Sequence, residues 1–476
     1  MSAATDRRSR ALAFGLFGLA LLTGLLSGVD PRLGLAAAMG VAFVTVVLAD
    51  LSVGLCIYAL LAFLNIVPDA GGSFLSFDKV AGGLLALSWL AAVGSRREAR
   101  RAFFTAHPQF SAVMLFFLAW VLLSLTWAEV PGEGLEPASR YLLNAFLFLI
   151  VFTAVRNRKH VIWLVGAFVA ASTLSAVYGL LVSTPTGDQG RLGGSLGEPN
   201  ELAAVLVAGI VLAAGLAMVV RGPLTRLALI LASATCLLST FLTLSRGGLI
   251  ALAVAMVALV FVAGRWRMAA AAMAVLALSA LVGFFAFVAT PDQRARVTEV
   301  GTGSGRSDIW TVGWRMVQAN PGIGVGVGQF QISSVHYLIA PGAIQRSDLI
   351  IDTPKVAHNI YLQVLAELGI VGFVPFVLIL GFGLTCCLRA ARAFERRRDL
   401  GMELISRAVF VALVGILAAD FFVSQQFSKQ LWLLLGLGPA LLAIAGRSPS
   451  PEGEPRAEEP VAPLAPARLE PVPAHA

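Results

Sequence analysis

Apolar positions dominate this chain in runs of roughly 17 to 25 residues, the length a helix needs to cross a bilayer, and short polar breaks separate them. Fourteen such runs can be cut, near 11–28, 33–49, 51–67, 80–95, 110–127, 140–155, 161–183, 200–220, 227–243, 248–264, 268–290, 359–388, 403–424 and 430–446. The pairs 33–67 and 227–264 are each divided by a very short break, so each is either one broken helix or a re-entrant pair. The expected fold is all-α: a polytopic transmembrane helix bundle of about 12–14 spans. Residues 1–290 hold the N-terminal spans, 291–357 form one long loop, 358–446 hold the C-terminal spans, and 447–476 are a tail.

Composition agrees with the pattern. The 476 residues are 58% hydrophobic and 13% charged, with mean hydropathy +0.84, which excludes an ordinary soluble domain. The net charge of +8 would suggest nucleic acid in a soluble protein, but here the basic residues cluster between apolar runs and act as topology signals. One set of loops carries Arg7, Arg8, Arg10, Arg96, Arg97, Arg100, Arg101, Arg156, Arg158, Lys159, Arg221, Arg226, Arg265, Arg267, Arg389, Arg392, Arg396, Arg397 and Arg398. The loops opposite carry single charges: Arg32, Lys79, Arg140, Arg191, Arg246 and Lys429. The first set is therefore expected in the cytoplasm, with both termini, and 291–357 on the outer side. Arg7–Arg10 precede a first span expected to be retained, since no small-x-small cleavage site follows it. The tail, with eight prolines in 447–476, lacks the apolar surface for a core and is expected to be disordered. Cys56, Cys236, Cys386 and Cys387 lie in apolar runs without metal or disulfide spacing.

The long loop is not simply polybasic: Arg294, Arg296, Arg306, Arg315, Arg346 and Lys355 face Asp292, Glu299, Asp308, Asp348 and Asp352. A glycine-rich stretch, 301–305, leads to Arg306 and an amphipathic helix from Ser307 to about Gln318, with Ile309, Trp310, Gly313, Trp314 and Val317 on one face. Asn320-Pro321-Gly322 stops it. The alternating glycines of 322–328 follow no βαβ unit and have no Gly-Lys-Ser/Thr, so a close-packed turn is expected, not a nucleotide site.

Four places have the chemistry for an anionic lipid substrate. His358 and Asn359 stand where the loop enters the next span; Asn359 can cap that helix, whose N-terminus would keep His358 neutral and able to accept a proton. The bland alternative is a capping histidine. Arg306 precedes a helix start, where guanidinium and free backbone N–H groups can hold one anion. Arg246, in the tight break Ser245-Arg246-Gly247-Gly248, is expected to face a polar cavity because an unpaired charge at membrane depth is costly. Arg191 lies on the loop ending at Glu198-Pro199-Asn200, where Asn200 would cap the next span. For Arg306 and Arg191 a plain loop arginine is the alternative. Glu367, nine residues after His358, turns about 180° away on a helix, so packing inside the bundle suits it better than orienting the histidine. No metal-ligand spacing occurs; Asp348 and Asp352 would hold a divalent cation only if the fold brought others near.

The stretch His358-Asn359-Ile360-Tyr361-Leu362-Gln363-Val364-Leu365-Ala366-Glu367-Leu368-Gly369-Ile370-Val371-Gly372 resembles the H-N-x-x-L-x-x-L-x-E-x-G-x-x-G signature of the O-antigen ligase and polymerase superfamily. Gly305-Arg306 with Trp310, Asn320 to Gly326, Ser245-Arg246-Gly247 and Gly197-Glu198-Pro199-Asn200 after Arg191 support the likeness, which covers about residues 190–375. It implies a GT-C-like membrane fold in a bacterial inner membrane with a periplasmic site. It also implies transfer of a glycan from undecaprenyl diphosphate to an acceptor hydroxyl, with no nucleotide, metal or other cofactor. His358 would be the essential histidine, Arg246 and Arg306 diphosphate ligands and catalytic partners, Arg191 a further ligand, and Asn359 and Glu367 supports. The acceptor would be lipid A-core for a ligase, another lipid-linked repeat for a polymerase, or a Ser/Thr hydroxyl for a protein O-glycosylase. A lipid-linked-glycan flippase is the rival outside the enzyme class, though its charges are expected near the midplane.

Overall fold

The computed structural model describes residues 21, 23–25, 27–63, 77–95, 103–182, 190–298, 305–338, 344 and 347–447. The expected first span, 11–28, lies largely outside the described residues, as do the glycines 301 and 303 and the tail from 448 onward. What is described is an all-α polytopic bundle with no strand among the described residues. The principal helices are α1 (Pro31–Ala49), α2 (Leu51–Leu61), α3 (Phe77–Ser95), α4 (Pro108–Leu123), α5 (Pro131–Ala154), α6 (Arg158–Leu181), α7 (Pro199–Ala217) and α8 (Pro223–Leu242). They continue as α9 (Arg246–Val262), α10 (Arg267–Gly283), α11 (Pro291–Thr298), α12 (Arg306–Ala319), α13 (Ile360–Arg396), α14 (Leu400–Ala419) and α15 (Lys429–Gly446).

Among the described residues, nine helices are long and apolar enough to cross a membrane, and shorter apolar helices cover Ala37–Ala49, Leu51–Leu61, Val80–Ala91 and Arg246–Val262. Both ambiguous pairs resolve into two helices. Asp50 Oδ1 accepts from the Ser52 amide at 2.8 Å and starts α2 afresh. Ser245 Oγ accepts from the Gly248 amide at 3.1 Å and starts α9. Prolines at the first position begin α4, α5, α7 and α8, where the missing N–H costs no helical bond.

Helices α7, α14 and α15 form the buried centre, α7 packing on α8 and α14, and α13 on α14 and α15. By contrast α10 is 11% buried over its apolar stretch, so its Leu276, Leu278, Val282 and neighbours need lipid around them. Among the described residues, basic side chains from separate helices come together at one end of the bundle. There Arg158 pairs with Asp399 at 3.2 Å, Arg265 with the fully buried Glu403 at 2.5 Å, and Arg407 with Glu403 at 3.0 Å and Glu395 at 2.9 Å.

The opposite end carries the long loop. The amphipathic helix is α12, whose Ile309, Val312, Met316 and Val317 pack with Phe330 and Ala366 in a small second core. Gly324, Gly326 and Gly328 all have positive φ, and a Cβ on Gly324 would collide with the Glu367 backbone, which is why this turn is glycine-rich. The turn is pinned by backbone bonds from Val325 to Ala366 and from Gly326 to Glu367, and by the Gly328 amide, which donates to Glu367 Oε2 at 2.9 Å. Glu367 thus packs inside the bundle, whereas His358, with its positive φ before the Asn359 cap, lies outside α13 and has no helical phase with it. Helix α13 breaks at Gly369 (φ 62°), where the 322 turn lies against the backbone.

Candidate functional site

At the loop-bearing end, four arginines and a histidine from separate parts of the sequence are linked in a chain of charges: Arg191 with Arg296 and Arg306, Arg306 with Arg246 and Arg296, and His358 with Arg306. Arg191 is set at the break between α8 and α9: Nε donates to the Thr243 carbonyl at 3.0 Å and Nη2 to Asn200 Oδ1 at 3.1 Å. Asn200 Oδ1 also accepts from Ser245 Oγ at 2.8 Å, and Ser245 caps α9 directly before Arg246. One polar chain therefore fixes the Arg191 loop, the start of α7 and the start of α9 together.

Asn200 does not cap its helix. Glu198 holds the N-cap position with Pro199 following, and the Asn200 side chain is turned sideways to Arg191 and Ser245. Arg246 is exposed at the first position of α9, and its Nε and Nη2 donate to the backbone carbonyl of Arg296 at 2.8 and 2.5 Å. Gly247 and Gly248 allow the approach behind it, since a Cβ on Gly247 would meet Phe422 and one on Gly248 would meet Ala203.

Arg306 is the first residue of α12, following Gly305 in the left-handed conformation (φ 59°). Burial, then Arg246 and Arg296, lower the proton affinity of its guanidinium, with Glu198 acting the other way. Arg191 is driven down to about 10 by burial and Arg296, with Glu198 opposing and Arg306 adding. Arg296, on α11, is lowered by burial and Arg246. The sequence had offered Arg296 as one loop charge among several; nothing in its local pattern distinguishes it.

His358 is half-buried between the loop and α13, with a positive φ of 49°. Such a backbone costs a non-glycine residue roughly 1–3 kcal/mol and persists where its surroundings hold it. Here the hold is visible on both sides. Trp310 Nε1 of α12 donates to the Ala357 carbonyl at 2.9 Å. Asn359 Oδ1 accepts from the Tyr361 and Leu362 amides at 3.0 Å, capping α13. The Ile360 amide donates to the Asp420 carbonyl at 2.9 Å. Burial, Arg306 and Lys355 push the imidazole down to about 4, so it is neutral over the ordinary pH range.

Behind His358, at the end of α14, Asp420 is fully buried with neither carboxyl oxygen hydrogen-bonded. Its neighbour in charge is Glu201 on the first turn of α7. Neither residue stood out in the sequence, because their proximity depends on the packing of α7 against α14.

The fold and this site define a multi-pass helical membrane protein with a cationic, histidine-bearing face at the end of the bundle away from the basic clusters. Residues 227–377, from α8 through the first half of α13, match the family model described as O-antigen ligase. This supports the resemblance of the His358 stretch to the O-antigen ligase and polymerase superfamily. Arg246, Arg296, Arg306 and His358 all fall within the matched span, whereas Arg191, Glu198 and Asn200 precede it. No curated protein matches the sequence.

Proposed function

We propose that this protein is an inverting membrane glycosyltransferase that moves a glycan from undecaprenyl diphosphate to an acceptor hydroxyl. In this reading it lies in a bacterial inner membrane with the site facing the periplasm. We take it as an O-antigen ligase whose acceptor is lipid A-core, in keeping with the description of the matched family. The observation that carries the reading is Arg306 at the start of α12, within the field of Arg191 and Arg246 on one side and of a neutral His358 on the other.

Each part has a chemical task. Arginines present fixed charge in planar forks suited to a diphosphate, and they stabilise it most as it departs. The acceptor oxygen bonds to the anomeric carbon as the bond from that carbon to the diphosphate oxygen breaks, with inversion. The hydroxyl proton passes to the neutral imidazole of His358. A ring held down to about 4 is a weak base in the empty site, but an anion beside Arg306 offsets the positive field on it and raises its affinity for that proton. The guanidiniums supply the charge, so this scheme needs no metal.

A lipid-linked donor also suits the surface below the arginines. Between α9 and α10 lies an apolar cavity of about 390 Å³, running from Leu249, one turn below Arg246, past Met256 to Phe261. A prenyl chain whose diphosphate rests on Arg246 would run along it.

Deleting the gene and examining surface polysaccharide tests the assignment. Full-length polymer left unattached to lipid A-core is the result expected of a ligase; single repeat units would move the assignment to a polymerase, and unchanged polysaccharide would remove both.

A further inference from the structure

Arg246 spends two of its N–H groups on a backbone carbonyl of a short helix, α11, 50 residues further along the chain. That helix carries two arginines with different work. Arg294 turns back to its own segment, donating from Nε to the Ala289 carbonyl and from Nη2 to the Ala286 carbonyl, both at 3.1 Å. Arg296 instead enters the electrostatic field of the site, acting on both Arg191 and Arg306 and being acted on by Arg246. Its side chain is half-buried.

Gathering like charges is unfavourable in itself, and partial burial makes it more so. A fold that holds α11 in place through Arg246, and so adds a fourth guanidinium to three others, gains from the arrangement when an anion arrives. The carbonyl of Arg296 occupies the Nε/Nη2 edge of Arg246, which leaves the Nη1/Nη2 edge to meet a phosphate while α11 stays held.

We propose that Arg296 is a further ligand for the leaving diphosphate, and that Arg246 acts as its positioning residue by holding the carbonyl end of α11. This rests on the diphosphate reading given above. Cleavage at the anomeric carbon frees the terminal phosphate of one ester link, and so adds negative charge to the departing group. A fourth guanidinium favours that later charge state over the intact diester. Arg296 is therefore expected to affect kcat more than the KM for the intact donor.

Binding of geranyl diphosphate to the purified full-length protein in detergent, followed by calorimetry, tests this without requiring transfer. Wild type is expected to bind; Arg296→Gln is expected to weaken binding tenfold or more, and Arg296→Lys to recover part of the loss. Arg294→Gln, which disturbs only the contacts of α11 with the segment just before it, is expected to bind within about twofold of wild type. The Arg246→Gln and Arg296→Gln losses are expected to be less than additive in the double variant. Arg296→Gln binding as tightly as wild type would overturn the proposal, as would an equal loss in Arg294→Gln, which would reduce Arg296 to a structural part of α11. Wild type failing to bind geranyl diphosphate at all would instead overturn the diphosphate reading on which the proposal stands.

Discussion

The indole N–H of Trp310 donates to the carbonyl of Ala357, 2.9 Å away, so the helix that begins with Arg306 is tied to the residue next to His358. The same ring packs edge-on against Phe421 and tilted against Phe422, at 5.5 and 6.4 Å between centroids. Trp310→Phe keeps much of the ring contact and removes the hydrogen bond. The expected cost is about 1 kcal/mol of stability, together with a several-fold loss of transfer at unchanged membrane abundance. Thermal unfolding in detergent and a lipid-linked glycan assay measure the two effects separately.

His358 makes the protein sensitive to acid. Its folded pKa, about 4, lies below the ordinary value of 6.5, so between these values the unfolded chain binds more protons at this site than the folded one. Stability from this residue is present above pH 6.5 and is lost as pH falls toward 4. Melting temperatures taken across pH 4 to 7 are expected to fall less steeply for His358→Gln than for wild type. An identical slope would show that the ring is not held neutral by Arg306 and Lys355.

Asp420 works in the opposite sense. Burial first, and then Glu201, raise its pKa well above the usual carboxylate range, and no hydrogen bond compensates an ionised form. A raised folded pKa gives stability at low pH that is lost as pH rises. Asp420→Asn is therefore expected to melt higher than wild type at pH 8, with the difference shrinking toward pH 4. The same pH series run on both proteins measures it.

Glu367 is a clamp between the glycine turn and α13. Its Oε2 accepts from the Gly328 amide at 2.9 Å and its Oε1 from Gln363 Nε2 at 3.0 Å, in a fully buried position. Glu367→Ala orphans both donors, at about 1–3 kcal/mol each, and is expected to lower membrane abundance. Glu367→Gln keeps an acceptor and is expected to lie between alanine and wild type. Quantitative immunoblots of membranes distinguish the three.

How much of this could be read from the sequence follows the range of the interactions. The spans, the Asn359 cap, the amphipathic helix from 307 and the close-packed glycine turn are all local, set by apolar periodicity, cap chemistry and the need for positive φ. Arg191, Arg246, Arg306 and His358 could be named individually, because each sits at a helix end or a glycine break. Their meeting could not, since it depends on how α7, α9, α12 and α13 pack. Asn200 was misread for the same reason: its local position suits a cap, but Ser245, 45 residues away in sequence, and Arg191 offer its side chain better partners. Arg296 and Asp420 carry no local signal; one is reached through the Arg246 fork and the other through the Ile360 amide.

If His358 serves group transfer from a lipid diphosphate, removing its ring stops transfer and spares diphosphate binding. His358→Ala, compared with wild type at matched membrane abundance, is given a diphosphate-linked glycan and its acceptor. Loss of the proton acceptor predicts a fall in transfer of roughly a hundredfold or more, with geranyl diphosphate binding retained. Transfer close to the wild-type rate would contradict the account.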